Sequence, residues 1–347
     1  MSSFSDRLVS AWYQSDFNPL LAPLLPLSKL VEWQVRRRQH QYRLNQKSLW
    51  QPPVPVIVVG NITVGGTGKT PLVAALVSEF QRRGYRPGII SRGYGAKVDA
   101  FPAVVLPNSD PAELGDEPVM LAEMTGVPVV IDPDRPSAAR YLLSNHECDV
   151  IISDDGLQHY ALVRHIEMVV LDGARWLGNG RCLPAGPLRE PADRLASVDC
   201  IISNGKPVAE VGAVACNIMT LLPTRLVNLK SGRAISLSEW NDFDTPVHAV
   251  AGIGNPGRFF DSLRSLGFMV RERAFPDHHA YCSDDFAFAG GQPVIMTAKD
   301  AIKCRRFAHD SWWYLAVDAK LPDSFWEQVS NRLSNFSSSF QPVSTNG

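Results

Sequence analysis

The chain has 347 residues, 45% of them apolar and 20% charged, enough for two domains or one large α/β unit with an appendage at about 100–200 residues per domain. Thirty-four Lys and Arg against thirty-five Asp and Glu leave a net charge of −1, which argues against a globally basic nucleic-acid binder. The six cysteines (148, 182, 200, 216, 282 and 304) form no C-x-x-C pair and none stands at zinc-finger spacing to a histidine, so they read as reduced thiols of a cytosolic protein.

The first fifty residues depart from this balance. Residues 17–28 read FNPLLAPLLPLS, apolar but broken by Pro19, Pro23 and Pro26, too short to span a bilayer and lacking the order of a signal peptide. Lys29, Arg36, Arg37, Arg38, Arg43 and Lys47 follow, interleaved with Trp33 and Tyr42, and residues 1–50 carry seven Lys/Arg against three Asp/Glu, net +4. Apolar residues and aromatics beside a basic cluster describe a segment lying on an anionic membrane surface. The plainer alternative is an arm packed on its own domain with its arginines solvated. The longest charge-free stretch, 48–68, contains three prolines and four glycines and cannot be a spanning helix.

Beyond residue 50, short β-rich runs alternate with helical patterns. Strands are predicted at 54–60, 88–91, 127–131, 149–153, 166–171 and 200–203, with helices at 71–84, 117–125 and 136–145 between them. This alternation predicts a doubly wound, mostly parallel sheet. Residues 217–237 read as a short antiparallel insert, and a strand-loop-helix unit restarts at 247–252. Strands at 294–296 and 312–317 and a last helix at 325–333 complete a smaller second α/β lobe. The expected division is an arm over 1–50, a core over 51–215, a lobe over 216–333 whose end can return to the core, and a disordered tail over 334–347.

Residues 60–70, GNITVGGTGKT, follow an apolar run and precede a helix beginning near Pro71, the context of a phosphate-binding loop. Gly65, Gly66 and Gly68 let successive N–H groups around Thr67 point at one anion. Lys69 reaches the β/γ-phosphates and the Thr70 hydroxyl can ligate Mg²⁺. Thr63 stands where the usual pattern begins with glycine. The metal carboxylate such a loop needs is offered by DVIISDDG (149–156), an apolar strand ending in Asp154 and Asp155. Together the two motifs indicate a Mg-nucleotide site of an ATPase, a GTPase or a kinase.

NITVGGTGKTP (61–71), SRGYG (91–95), GDEP (115–118), SDDGLQH (153–159), LPAGPLREP (183–191), AGIGNPGRFF (251–260), FPDHH (275–279) and TAKD (297–300) occur in this order. The series, spanning residues 1 to about 330, closely resembles the tetraacyldisaccharide 4′-kinase (lipid A kinase) family. The resemblance implies a P-loop NTPase-like α/β fold and transfer of the γ-phosphoryl group of ATP, with Mg²⁺, to the 4′-hydroxyl of a tetraacylated glucosamine disaccharide 1-phosphate. It implies a peripheral location at the cytoplasmic face of the bacterial inner membrane, and it favours the membrane reading of the arm. The partners it implies are this lipid A precursor and the anionic membrane surface, with no nucleic acid and no obligate protein partner.

By the same resemblance, Lys69 and Thr70 match the loop lysine and threonine, and Asp154 and Asp155 the magnesium-side carboxylates. Glu117 and Glu190 match acids near the nucleotide-metal site, and Asp116 and His278 a dyad that activates the acceptor hydroxyl. His279 adjoins His278 and Asp277 can orient either ring, so which ring faces the site stays open. Arg92 and Tyr94 follow a strand at the expected ligand edge, where Arg92 can pair a substrate phosphate or stay solvated. Gly252, Gly254 and Gly257 fit a dinucleotide fingerprint but read as a strand-to-helix turn, and Thr297–Asp300 can approach the purine. A nucleotide-driven switch or chaperone ATPase shares the loop, but Val64 stands where such proteins carry a signature lysine.

Overall fold

The proline-broken N-terminal segment folds as helix α1 (Phe4–Trp12), a 3-10 turn over Pro19–Leu24 and helix α2 (Leu25–Arg43). This is a computed structural model, and it describes residues 4–14, 18–44, 47–209, 216–240 and 243–339. The chain continues through β1 (Val56–Gly60), α3 (Lys69–Arg82), β2 (Pro87–Ser91), β3 (Ala103–Val105), α4 (Pro111–Leu114), α5 (Asp116–Thr125), β4 (Val129–Ile131), α6 (Arg135–Asn145), β5 (Val150–Asp154), β6 (Ile166–Asp172) and β7 (Cys200–Asn204). There follow β8 (Cys216–Asn228), β9 (Ala234–Ser236), β10 (Val247–Ala251), α7 (Pro256–Ser265), β11 (Val270–Ala274), β12 (Val294–Thr297), α8 (Ala298–Cys304), β13 (Trp312–Lys320) and α9 (Asp323–Ser339).

These elements form two units, Met1–Arg92 with Asp132–Thr220 and Leu321–Gly347, and Gly93–Ile131 with Leu221–Lys320. In the first, strands lie in the order β8–β7–β6–β1–β5–β2 with each pair parallel. Every residue of β1, β2, β5 and β7 is buried, as expected of parallel strands covered on both faces. Val59 pairs with Asp154 and Ile90 with Ser153, so β1, β5 and β2 end level at their carboxyl edge.

In the second unit β11, β10, β12 and β13 pair in parallel, and β9 runs antiparallel on β8, as the insert pattern predicts. Leu226, Val247, Phe260, Leu263 and Ile295 form one of its cores, and Tyr281, Phe286, Val294, Met296 and Trp312 another. The Gly252–Gly257 segment is the predicted strand-to-helix turn: it joins β10 to α7, which Asn255 caps by accepting from the Arg258 N–H.

Two expectations about organisation change. Residues 93–131, expected in the core, belong to the second unit with 221–320. The tail expected to be disordered from 334 is helical through Ser339, because Phe336 continues the apolar face begun by Phe325, Val329 and Leu333 and packs its ring 4.5 Å from that of His165. Residues 340–347 lie outside the described residues. No described helix is long and apolar enough to cross a membrane.

Since Phe325 is wholly buried, Phe325→Ala should destabilise the protein by about 3–5 kcal/mol. Chemical denaturation followed by tryptophan fluorescence checks this, and an unshifted midpoint would show that α9 does not share the core.

Candidate functional site

Residues 60–70 leave β1 and enter α3 as one tight loop. Gly65 and Gly68 hold φ of +96° and +95°, the left-handed region that L side chains avoid. A Cβ on Gly68 would meet Asn204 Nδ2 at 2.6 Å, and that amide donates to the Thr67 carbonyl at 3.1 Å. The loop's opposite limb is pinned by Arg189 N to Ile62 O at 2.7 Å and Val64 N to Pro187 O at 2.9 Å. Helix α3 begins at Lys69, two residues before the predicted start, so the lysine and Thr70 stand on its first turn. Gly65 and Gly66 are exposed and Thr67 is buried. Successive N–H groups at a helix N-terminus suit an anion.

Asp154 ends β5, and Asp155 follows in the left-handed region at φ +47°. The buried Asp154 carboxylate accepts from Ser91 Oγ at 3.3 Å. Asp155 pairs with Lys69 Nζ at 3.4 Å and Arg189 Nη1 at 2.9 Å. Burial alone would raise its pKa, but the two cations outweigh it and hold the carboxyl below its usual range. Arg135, 1% exposed, donates to the carbonyls of Asp132 (2.9 Å) and Asp154 (3.1 Å), bracing the turn from behind. Burial lowers its pKa to about 10 against the pull of Asp154 and Asp155, so it stays charged at neutral pH. His159 is pushed down to about 3 by burial and by Arg135, Arg92 and Arg38, and is neutral there.

The other two expected metal-side acids have surroundings of their own. Glu190 is 1% exposed, and both its oxygens are taken up by Gln39, Gln158, Tyr160 and Arg194. Glu117, half-buried on the first turn of α5, belongs to the second unit. Among the described residues no three His, Cys, Asp or Glu side chains are grouped to hold a metal ion. Arg92 is exposed just beyond β2.

In the second unit His278 Nδ1 lies 3.3 Å from Asp116 Oδ2, and His278 holds φ of +60°. Lys299 Nζ stands 3.2 Å from His278 Nε2 and 3.2 Å from Asp277 Oδ1. An ammonium can only donate, so it selects the tautomer in which Nδ1 carries the proton toward Asp116 and Nε2 keeps its lone pair. His279 instead bonds Asp285 at 3.0 Å and packs on Phe275 and Tyr281, so that of the neighbouring histidines one pairs with Asp116 and the other is a packed ring. Tyr94, 73% exposed, has its ring 6.2 Å from that of His278.

Lys299 and Arg189 were given no role of their own in the sequence: the first sits in the block expected near the purine, the second directly before an acid. Asp300 of that block is fully buried and accepts from Gly252 N, Tyr281 Oη and Thr297 Oγ1, a packing role.

The first unit thus defines an α/β protein whose mostly parallel sheet carries a glycine-rich loop and an acid pair at one edge. A family model described as tetraacyldisaccharide-1-P 4′-kinase matches residues 20–334, and the chain belongs to that family. It is 48% identical over 332 residues to the tetraacyldisaccharide 4′-kinase of Alcanivorax borkumensis, covering 96% of this chain and 98% of the relative. With that of Nitrosococcus oceani it shares 45% over 347 residues, the full length of both. Among solved structures, apo-form LpxK from Aquifex aeolicus in complex with ATP matches with a TM-score of 0.78 and 29% identity, over 90% of this chain and 99% of that one.

Replacing Gly68 by alanine demands both a left-handed φ and a Cβ against Asn204, so Gly68→Ala should weaken ATP binding about tenfold or more. Calorimetric titration of the folded variant measures this; unchanged affinity would show that the tight turn is dispensable.

Proposed function

We propose that the protein transfers the γ-phosphoryl group of ATP to the 4′-hydroxyl of tetraacyldisaccharide 1-phosphate, the activity named in its relatives, on a P-loop NTPase-like core. The observation that carries this reading is the glycine loop entering α3 with Lys69 beside Asp155 at the level ends of β1 and β5. The N–H groups around Gly65–Gly68 cradle the phosphates, and Lys69 exchanges Asp155 for the β/γ-phosphates as nucleotide enters. Charge on the transferring group is then met by preorganised donors, the main catalytic contribution in phosphoryl transfer.

The donor set fits Mg²⁺, which prefers hard oxygens: the carboxylate of Asp155, whose Oδ1 is buried with Lys69 Nζ 3.4 Å away, has Thr70 and Asp154 as its neighbours in the motifs. These residues would hold the ion, which when bound neutralises phosphate charge.

Nε2 of His278 accepts the 4′-hydroxyl proton once the hydroxyl takes the place of Lys299. Asp116 holds the ring and stabilises its protonated form. Arg92 offers a guanidinium to a substrate phosphate and Tyr94 a ring beside His278.

For the arm the same reading is peripheral attachment to the cytoplasmic face of the inner membrane. Trp12 Nε1 bonds Pro184 O and Ser28 Oγ bonds Cys182 O, so one side is seated on the first unit. The other side leaves Leu27, Leu30 and Trp33 more than half exposed, at 53, 58 and 56%, one helical face with Arg37 stacked 5.4 Å from the Trp33 ring. An apolar stripe edged by cations matches an anionic lipid surface.

Thin-layer separation of lipid products after incubation with γ-labelled ATP tests the activity. Asp116→Ala and His278→Ala should each lose about a hundredfold or more in kcat, with the double variant little worse than the poorer single one. Additive losses would dissolve the dyad.

The intact protein should pellet with phosphatidylglycerol vesicles at low salt and release as ionic strength rises, while Leu30→Glu with Trp33→Glu should remain in the supernatant. Equal pelleting of both would exclude the stripe from membrane contact.

A further inference from the structure

Glu190 is the most completely enclosed carboxylate engaged by the arm. Its Oε1 accepts from Gln158 Nε2 at 2.7 Å; its Oε2 accepts from Gln39 Nε2 at 2.8 Å and Tyr160 Oη at 2.7 Å, with Arg194 Nε at 3.3 Å. A charge this deep persists only when its oxygens are fully engaged, and removing it leaves the donors facing one another. The donors come from separate places: Gln39 lies on α2 of the arm, while Gln158 and Tyr160 follow the acid pair.

Two routes lead from this carboxylate to the glycine loop. The same Gln158 amide reaches the Asn61 carbonyl at 3.3 Å, and Asn61 Nδ2 donates to Gly65 O at 3.3 Å. The preceding residue, Arg189, holds Ile62 O through its backbone and Asp155 through its side chain. We propose that Glu190 is a positioning residue which, from one buried carboxylate, sets both the phosphate loop, through Gln158 and Asn61, and the seat of the arm helix, through Gln39. How α2 is seated is therefore felt at the nucleotide, and by reciprocity nucleotide binding firms the seat of α2. This rests on the assignment of the loop as the ATP site.

The test uses the full chain, with ATP affinity measured by calorimetry in Mg²⁺ and again in EDTA, and amide exchange followed over 60–66 and 25–43. Glu190→Gln should weaken ATP binding about tenfold in both conditions and raise exchange in both segments. Gln158→Met, which cuts only the route to the loop, should lower ATP affinity while leaving exchange in α2 unchanged. Gln39→Met should raise exchange in α2 and cost ATP affinity about threefold, and these two variants carry the test if Glu190→Gln fails to fold. A loss confined to Mg²⁺ would make Glu190 a metal ligand and overturn the proposal, as would wild-type affinity in both Glu190→Gln and Gln158→Met. Lys69→Ala separates the premises: normal ATP affinity there would sink the loop assignment, whereas weak binding by Lys69→Ala beside normal binding by the Glu190 and Gln158 variants sinks the positioning role alone.

Discussion

Parallel pairing of β1 with β5, from Val56 with Ile151 to Val59 with Asp154, brings the end of one strand level with the end of the other. A glycine loop leaving the first and an acid pair leaving the second are thereby forced to one edge of the sheet. Slipping the register by one residue would turn the alternating side chains of β5 to opposite faces and carry the acids away from Lys69. Ser91, Arg189 and Asn204 then brace this edge from β2, from the loop before the β7 turn and from β7 itself.

Charge is distributed around that edge with a consistent sign. Lys69, Arg189 and Arg135 surround two carboxylates, so the neighbourhood can receive a polyphosphate without building new cations. Neutral His159 adds bulk and hydrogen-bonding capacity without adding charge. In the second unit the balance is local: Asp116 and Lys299 bracket one imidazole and determine which nitrogen is bare.

Much of this was legible in the sequence for a physical reason: parallel strands buried on both faces read as apolar runs, and a loop that must turn left-handed needs glycine. The strand pattern, the loop, the acid pair and the turn at Gly252 follow from such local rules. The pairing of Asp116 with His278 joins residues 162 positions apart and was expected only through the family resemblance. The short strand β3 and helix α4 have too few residues to show a period. The membership of 93–131 in the second unit depends on contacts with residues far along the chain. The enclosure of Glu190 stayed hidden because three of its four partners, Gln39, Gln158 and Tyr160, come from segments far from it in sequence. Conversely, the helix running to Ser339 was within reach, since Phe336 keeps the spacing of Phe325 and Leu333, but a serine-rich composition masked it.

Neither unit is a continuous stretch of chain: the chain passes between them after Arg92, Ile131, Thr220 and Lys320. Strand β8 makes one of these passages within a single run of thirteen residues. The consequence concerns synthesis. When a ribosome has made the glycine loop, the acid pair and all the strands of the first sheet, Phe325, Val329 and Leu333 still lie ahead, together with Gln328 and Arg332, which bond Asp199. The apolar surface they cover stays open until α9 has been made, so the nascent first unit exposes it, as incomplete domains do, while residues 221–320 of the second unit are being synthesised. A message cut short after the second unit would therefore yield a chain with every nucleotide-site residue in place and an unsealed core beneath them.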